Sequence, residues 1–110
     1  MDEEASLFSA LADPTRLRLA ALLAIRGETC VCMLAQALGE PDFKVSRHLG
    51  VMRSAGMVRA RREGTWMHYK LVAPRNRLER CLQRCFRDCL AEHEAMIATL
   101  KRLERAECVR

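Results

Sequence analysis

The sequence lacks several features that would assign it to a class at once. No apolar run approaches the roughly 20 residues that a membrane-spanning helix needs. Low-complexity tracts and internal repeats are also missing from its 110 residues. The N-terminus begins Met1-Asp2-Glu3-Glu4, which is acidic and therefore unlike a signal peptide. These absences predict a single globular domain over 1–110 that does not bind a membrane and lies in the cytoplasm.

Catalytic signatures are missing as well. No Ser/His/Asp set, phosphate-binding loop or pair of carboxylates stands out, so the chain is not expected to be an enzyme. The six cysteines lack the repeated Cys-x-x-Cys pattern of a zinc ribbon, and Cys30-Val31-Cys32 does not have the spacing of a thioredoxin-like oxidoreductase. In a reducing cytoplasm, these cysteines indicate metal binding, redox activity or core packing.

Local signals predict a mostly helical chain with one β-hairpin. Asp13-Pro14 is a typical helix start, and Thr29 is a suitable N-cap for the third helix. The segment from Met57 to Leu71 alternates with period two around Glu63-Gly64, which predicts two strands and a tight turn. The predicted elements are helices over about 5–12, 14–25, 30–38 and 42–55, a hairpin over about 57–72, and one helix without Pro or Gly over about 76–106.

The third and fourth predicted helices have the short connection of a helix-turn-helix. At about 100° per residue, Val45, Leu49 and Met52 share the buried side of the fourth helix. On the other side, Arg47 could pair with guanine and Ser46 with a base or a phosphate, although such a side can also be merely solvated. That side carries Lys44, Ser46, Arg47, Gly50, Val51 and Ser54.

The predicted hairpin that follows is rich in positive charge. The whole chain has 19 Lys and Arg against 14 Asp and Glu, a net charge of +5, and Arg61-Arg62 lies next to the hairpin turn. A basic hairpin directly after such a helix is the winged arrangement, whose tip reaches phosphates or a minor groove. His48 and His68 are expected on the DNA-facing surface or in its support. The basic residues of the hairpin are Arg59, Arg61, Arg62 and Lys70.

Four segments resemble the ArsR/SmtB family of metal-sensing repressors over about residues 5–72. They are Phe8-Ser-Ala-Leu-Ala-Asp-Pro-Thr-Arg-Leu, Cys30-Val-Cys-Met-Leu, Lys44-Val-Ser-Arg-His-Leu and Arg62-Glu-Gly-Thr-Trp-Met-His-Tyr-Lys-Leu. The resemblance implies a winged helix-turn-helix homodimer, formed through the first and last helices, that binds operator DNA until an inducer ion releases it. In this reading the helix-turn-helix covers about 30–56, the wing about 57–72 and the dimerisation helix about 76–106. The predicted DNA-binding residues are Lys44, Ser46, Arg47, His48, Arg61 and Arg62.

The Cys30-Val31-Cys32 motif resembles the arsenite-responsive branch of that family. Trivalent arsenic and antimony prefer thiolates, so Cys30 and Cys32 are the predicted ligands of As(III) or Sb(III). Two residues of one regular helix with this spacing point about 200° apart, so ion capture is expected to distort the start of the third helix. The third cysteine that this branch often carries is replaced by Ala35. The candidates for a third thiol are Cys81, Cys85, Cys89 and Cys108, or none.

The predicted function is therefore a repressor of a metalloid-resistance operon, released from double-stranded operator DNA by arsenite or antimonite. The alternatives are the same fold responding to cadmium, lead or mercury, to methylarsenite, or to thiol oxidation. Cys81, Cys85 and Cys89 lie one turn apart in the last predicted helix, where they could form a second soft-ion site, a redox pair or, for Cys85 and Cys89, part of the apolar dimer seam. Asp88 and His93 lack the partners of the family's hard-metal sites.

Overall fold

The computed structural model describes residues 1–108, which form six α-helices and a small antiparallel sheet. The strand order β1-β3-β2 shows that β1 extends the hairpin of β2 and β3 at the β3 edge. Within the described residues, none of the helices is long and apolar enough to cross a lipid bilayer. The elements are α1 (Asp2–Leu11), α2 (Pro14–Arg26), β1 (Thr29–Cys30), α3 (Val31–Leu38), α4 (Asp42–Ser54), β2 (Val58–Glu63), β3 (Trp66–Leu71), α5 (Arg77–Arg84) and α6 (Glu94–Arg105).

The start of α2 is capped as the sequence predicts. Asp13 Oδ2 accepts hydrogen bonds from the backbone N–H groups of Thr15 at 2.9 Å and Arg16 at 3.0 Å, and Pro14 is the first helical residue. Burial of Asp13 acts to raise its pKa, but the N–H groups of Arg16 and Thr15 and the nearby charges of Arg16 and His48 together outweigh it, and the pKa lies below its usual value. The cap therefore holds a charged carboxylate at the point where α1 turns into α2.

The core joins α2 to the helix-turn-helix pair α3 and α4. The predicted inner side of α4 is confirmed, because Val45, Leu49 and Met52 are fully buried. Between α3 and α4, Gly39 adopts a left-handed conformation with φ 66°, and the N–H of Glu40 donates to the Ala35 carbonyl. This turn sets α4 across the same core. The largest fully buried side chains are Leu19, Leu22, Leu34, Val45, Leu49, Met52, Thr99 and Leu103.

The hairpin forms where it is predicted, with its turn one residue later. Glu63 pairs with Trp66, so the turn residues are Gly64-Thr65 rather than Glu63-Gly64. Gly64 has φ 62°, a conformation that glycine adopts readily and that a two-residue hairpin turn requires at this position. The register pairs Ala60 with Tyr69, in keeping with the predicted inner side of the hairpin.

The predicted continuous helix over about 76–106 is wrong. After α5 ends at Arg84, the chain forms a π-helical turn over Cys85–Cys89 and a 3-10 turn over Leu90–Glu92. At His93 the backbone is extended, with ψ 138°, and the side-chain Nδ1 accepts a hydrogen bond from the N–H of the second residue of α6. The last helix is therefore a separate element with its own cap.

Packing of α6 explains this break. Met96, Thr99 and Leu103 are buried, and α6 lies against α3. Arg102 Nε donates to the carbonyl oxygen of Ala37 at 2.7 Å, near the end of α3. Burial of these side chains against α3 removes apolar surface from water and stabilises the separate direction of α6. Burial on α3 thus favours a bend in this segment, although the segment contains neither Pro nor Gly.

Candidate functional site

One side of α4 is polar, basic and open to solvent. Lys44, Ser46 and Arg47 are exposed, and Val51 is 41% exposed although it is apolar. A Cβ added at Gly50 would meet no atom within 4 Å. Glycine in a helix costs about 1 kcal/mol relative to alanine, and packing within this chain does not require it. A small residue at the middle of this side suits a partner that approaches α4 closely.

His48 is placed below this side rather than on it. Its Nδ1 lies 3.2 Å from Arg16 Nη1 and 3.9 Å from Asp13 Oδ2, and the side chain is 17% exposed. These contacts connect α4 to the capped start of α2. Of the two roles predicted for His48, they favour support of the DNA-facing surface, and a direct contact with DNA stays a prediction.

Sequence reasoning missed Phe43, the most exposed large hydrophobic side chain of α4. It is 66% exposed, and the Arg47 guanidinium carbon lies 5.9 Å from its ring centroid. At this distance a guanidinium is attracted to the aromatic ring, which holds Arg47 along the outer side of α4. The available signal was that position 43 falls outside the buried stripe of Val45, Leu49 and Met52, so that an aromatic residue there has no place in the core.

The exposed face of the hairpin holds like charges opposite one another. Arg59 is the register partner of Lys70 in the ladder between β2 and β3. Like charges directly across an antiparallel pair destabilise the sheet. The pair does not stabilise the hairpin, but its two positive charges would attract a polyanion. This face therefore suits a nucleic-acid backbone.

Arg61 and Arg62 differ in their surroundings although they are adjacent. Arg61 Nε and Nη2 lie 3.1 and 2.7 Å from Glu28 Oε1, and the hydrogen bond from Arg61 holds the pKa of Glu28 below its usual value. Because side chains alternate along a strand, Arg62 lies on the opposite face of β2, across from Met67. Arg61 is thus partly neutralised by a residue that directly precedes β1, and Arg62 is exposed beside the turn.

Cys30 lies outside α3 and belongs to two elements at once. Its backbone is extended, with φ −79° and ψ 155°, and it pairs with His68 in the ladder between β1 and β3. It is also the N-cap residue of α3, while Cys32 is in the first turn of that helix. The angular separation expected for two residues of one regular helix therefore does not apply to these thiols.

Thr29 is not the N-cap of α3, contrary to the prediction. It pairs with Tyr69 of β3, and its Oγ1 donates to the carbonyl oxygen of Gly27 at 3.0 Å. Cys30 pairs in the same ladder and is therefore extended, so Cys30 is the N-cap residue and the helix begins at Val31, one residue later than predicted. The sequence signal for a cap was overridden by strand pairing with a segment 40 residues away in the chain.

Cys32 is joined to Cys108 by a disulfide. Their Cα atoms are 6.1 Å apart, within the range that disulfides span. Gln36, one turn after Cys32, binds the residue before Cys108: its Nε2 donates to the carbonyl oxygen of Glu107 at 2.5 Å, and its Oε1 accepts from the N–H of Glu107 at 3.1 Å. Of the four candidate third thiols, Cys108 is therefore the one that the fold brings to Cys32.

The other three candidates lie in α5 and the π-helical turn that follows it, and they form no disulfide. Cys81, Cys85 and Cys89 are exposed, and Phe86 is the residue buried between them. Within this chain, Cys85 and Cys89 therefore do not pack in the buried apolar core. Partial burial raises the pKa of the Cys85 thiol, and the neighbouring Cys89 adds to the rise, which favours a neutral thiol over a thiolate ligand. Among residues 1–108, no three His, Cys, Asp or Glu side chains are grouped closely enough to hold a metal ion.

A helix-turn-helix followed by a basic antiparallel hairpin defines the winged helix-turn-helix class of DNA-binding proteins. Residues 13–60 match the family model described as bacterial regulatory protein, arsR family. A homodimeric winged helix-turn-helix domain from Mycobacterium bovis, described as a possible ArsR-family transcriptional regulator, is 30% identical with a TM-score of 0.65, over 99% of this chain and 89% of that one. The chain belongs to the ArsR family of transcriptional regulators.

Two further relatives carry names that concern metalloids. The arsenical resistance operon repressor of Escherichia coli is 48% identical over 65 residues, which are 59% of this chain and 56% of that protein. The antimony-specific transcriptional repressor AntR is 36% identical with a TM-score of 0.68, over 83% of this chain and 78% of that one. The chain thus spans only about half the length of the Escherichia coli repressor that it matches.

These similarities confirm the predicted family and the predicted fold class, a mostly helical winged helix-turn-helix. They also confirm that the chain is not an enzyme, because the family consists of DNA-binding transcriptional regulators. The individual DNA-binding and ion-binding residues stay predictions.

Proposed function

We propose that the chain is a homodimeric repressor of a metalloid-resistance operon, which leaves double-stranded operator DNA when As(III) or Sb(III) binds the thiolates of Cys30 and Cys32. The names of the Escherichia coli repressor and of AntR support a metalloid inducer. The softness of both thiolates supports the same class of ligand.

One observation carries this proposal: Cys30 pairs with the wing strand β3 and is also the N-cap residue of α3. An ion that draws the Cys30 thiolate toward Cys32 would act on the backbone at that junction, because Cys30 belongs to both elements. A change there acts on the β1–β3 ladder, which carries the wing, and on α3, which supports α4. Both DNA-contacting parts are therefore linked mechanically to one ligand residue.

The DNA-binding surface consists of the outer side of α4 and the basic hairpin. Lys44, Ser46 and Arg47 are proposed to contact bases and phosphates in the major groove, and Arg62 a phosphate beside the wing. Arg61 contributes less in this state because Glu28 holds its guanidinium. His48 acts by holding α4 against α2.

A dimer is supported by α1 and by the homodimeric Mycobacterium bovis domain. Phe8 on α1 is 50% exposed, and burying an exposed aromatic side chain is a common source of interface stability. A twofold dimer would present two copies of α4 to half-sites about one helical turn apart on the same side of DNA.

Ion binding and DNA binding are coupled by linkage. If the ion weakens operator binding by a factor of about 5–150, DNA weakens ion binding by the same factor. The test begins with selection of an operator from random double-stranded DNA, followed by fluorescence anisotropy with the full chain under reducing conditions. Arsenite should release the DNA from the unchanged chain, whereas Cys30→Ser and Cys32→Ser should each retain it.

The matched control is Cys81→Ser, which removes an exposed thiol from α5. It should respond to arsenite like the unchanged chain. Release that survives the double replacement of Cys30 and Cys32 by Ser would refute the proposed site. Antimonite, methylarsenite and cadmium titrated in the same assay rank the inducers, and a response to cadmium with none to arsenite would refute the metalloid assignment.

A further inference from the structure

The C-terminal tail, Ala106–Cys108, lies against α3 and is bound there by contacts independent of any thiol. Both polar atoms of the Gln36 side chain bond to the backbone of Glu107. Upstream, Arg102 bonds to the carbonyl oxygen of Ala37, and Leu103 is buried. Residues further along α6 and the tail meet residues earlier in α3, so the two segments run antiparallel and carry Cys108 toward Cys32.

This disulfide occupies one of the two proposed ion ligands, which a crosslink elsewhere in the chain would not do. Cys32 is one of the two thiols of the Cys30-Val31-Cys32 motif, and Cys108 lies 76 residues away in the sequence. Gln36 Nε2 is 3.3 Å from the sulfur of Cys32 and 3.6 Å from that of Cys108, so a single amide contacts both sulfurs. A sulfur held in a disulfide cannot also serve as a thiolate ligand.

We propose that Cys32 and Cys108 form a reversible redox site in which Cys108 competes with the soft ion for Cys32. In the reduced chain, Cys30 and Cys32 are free to bind the ion. In the oxidised chain, Cys32 is bonded to Cys108, and Cys30 alone cannot chelate. Oxidation therefore makes the regulator insensitive to metalloid. The disulfide itself does not depend on the proposed function, but this consequence rests on it.

The oxidant is a hydroperoxide, which accepts the two electrons that the two thiols lose when they form a disulfide. One thiolate attacks the O–O bond and becomes a sulfenic acid, while the alcohol, or water for hydrogen peroxide, leaves. The second thiolate attacks the sulfenic sulfur, the S–S bond forms, and hydroxide is expelled and takes up a proton as water. Two thiols and one hydroperoxide thus give one disulfide, one alcohol and one water, and a dithiol reductant reverses the change by exchange.

The experiment uses the full chain, reduced or treated with stoichiometric hydrogen peroxide, together with Cys108→Ser and the matched control Cys81→Ser. Mass spectrometry of peptides should find the Cys32–Cys108 link in the oxidised unchanged chain and in the control. Arsenite binding is followed by the fluorescence of Trp66, the single tryptophan of the sequence, which lies in β3. We expect oxidation to weaken arsenite binding at least about 100-fold, because chelation by two linked ligands gains that much or more over a single one.

Reduction should restore binding to the unchanged chain, and Cys108→Ser should bind arsenite equally before and after peroxide. A missing Cys32–Cys108 link, or equal loss of binding in oxidised Cys108→Ser, would overturn the inference. So would loss of binding in reduced Cys108→Ser, since Cys108 would then be a ligand rather than a competitor. If the reduced unchanged chain fails to bind arsenite although the link forms, the proposed function fails and the redox site stands.

Discussion

Cys30 and His68 face each other in the ladder between β1 and β3, so the first cysteine of the motif belongs to the same sheet as the wing. Through this pairing, a change of backbone at Cys30 would reach the wing, although the ion itself would not contact the wing. The route is short, because β1 has only two residues, and a small change of backbone at Cys30 can end the pairing.

Amide hydrogen exchange can detect that loss of pairing. On addition of arsenite to the reduced chain, we expect exchange to become faster at Thr29–Cys30 and at His68–Tyr69 of β3, because broken ladder bonds leave amides open to water. The buried side of α4 around Leu49 should keep its protection and serves as the internal control. Unchanged exchange in β3 on saturation with arsenite would contradict the coupling.

We expect Glu28 to restrain DNA binding through its contact with Arg61. Glu28→Gln should release the Arg61 guanidinium, strengthen operator binding and steepen its salt dependence by about 0.9 in log–log slope for each additional phosphate that the protein neutralises. The measurement is operator affinity at several salt concentrations. Glu104→Gln on α6 removes the same charge without touching Arg61 and is the control. An equal increase in affinity in both variants would mean that net charge, and not the pair with Arg61, is responsible.

Glu79 stabilises the junction of the wing and α5. Its carboxylate accepts hydrogen bonds from Arg75 Nε and Nη2, at 3.2 and 3.1 Å, and Arg75 Nη2 also donates to the Gly56 carbonyl. The hydrogen bond from Arg75 lowers the pKa of Glu79, so the folded state favours the charged form. We expect Glu79→Gln to lower the free energy of unfolding by about 1 kcal/mol at neutral pH, because the largely exposed Arg75 guanidinium is screened by water.

The sign of its pH dependence follows from the lowered pKa. The stabilisation is fully present above the pKa of the unfolded state and is lost as pH falls through the lower pKa of the folded state. The urea unfolding curves of Glu79→Gln and the unchanged chain should therefore converge in acid, while Glu104→Gln should resemble the unchanged chain at neutral pH. A gap between the first two that widens on acidification would disprove this account of Glu79.

Gln36 positions the tail for disulfide formation. Gln36→Leu should slow the loss of free thiols from Cys32 and Cys108 under mild peroxide, because the bonds that hold Glu107 are gone. Gln83→Leu is the matched control: Gln83 also binds a backbone carbonyl, that of Val72 at 2.8 Å, but lies away from the tail. Rates measured with a thiol-reactive chromophore should differ between the two variants, and equal rates would rule out a positioning role.

Local chemistry was enough to predict much of the fold. The Asp13-Pro14 start of α2 and the buried stripe of Val45, Leu49 and Met52 both follow from residues within a few turns of one another, and both are confirmed. The wing was also predictable, because its alternation and Gly64 are features of one short segment.

The parts that could not be predicted depend on distant segments. Cys30 is extended because β3 pairs with it, and the break at His93 arises because α6 becomes buried on α3. Likewise, nothing near Gln36 in the sequence indicates that its amide binds Glu107. In each case the decisive partner lies dozens of residues away, where neither helix propensity nor spacing carries information about it.

The facing cations of the wing, Arg59 and Lys70, give salt two opposite effects on this regulator. Added ions shield the repulsion between these side chains and should raise the melting temperature of the DNA-free protein. The same ions compete with the protein for phosphates and weaken its hold on the operator. The free regulator should therefore be least stable under the low-salt conditions in which it holds DNA most tightly.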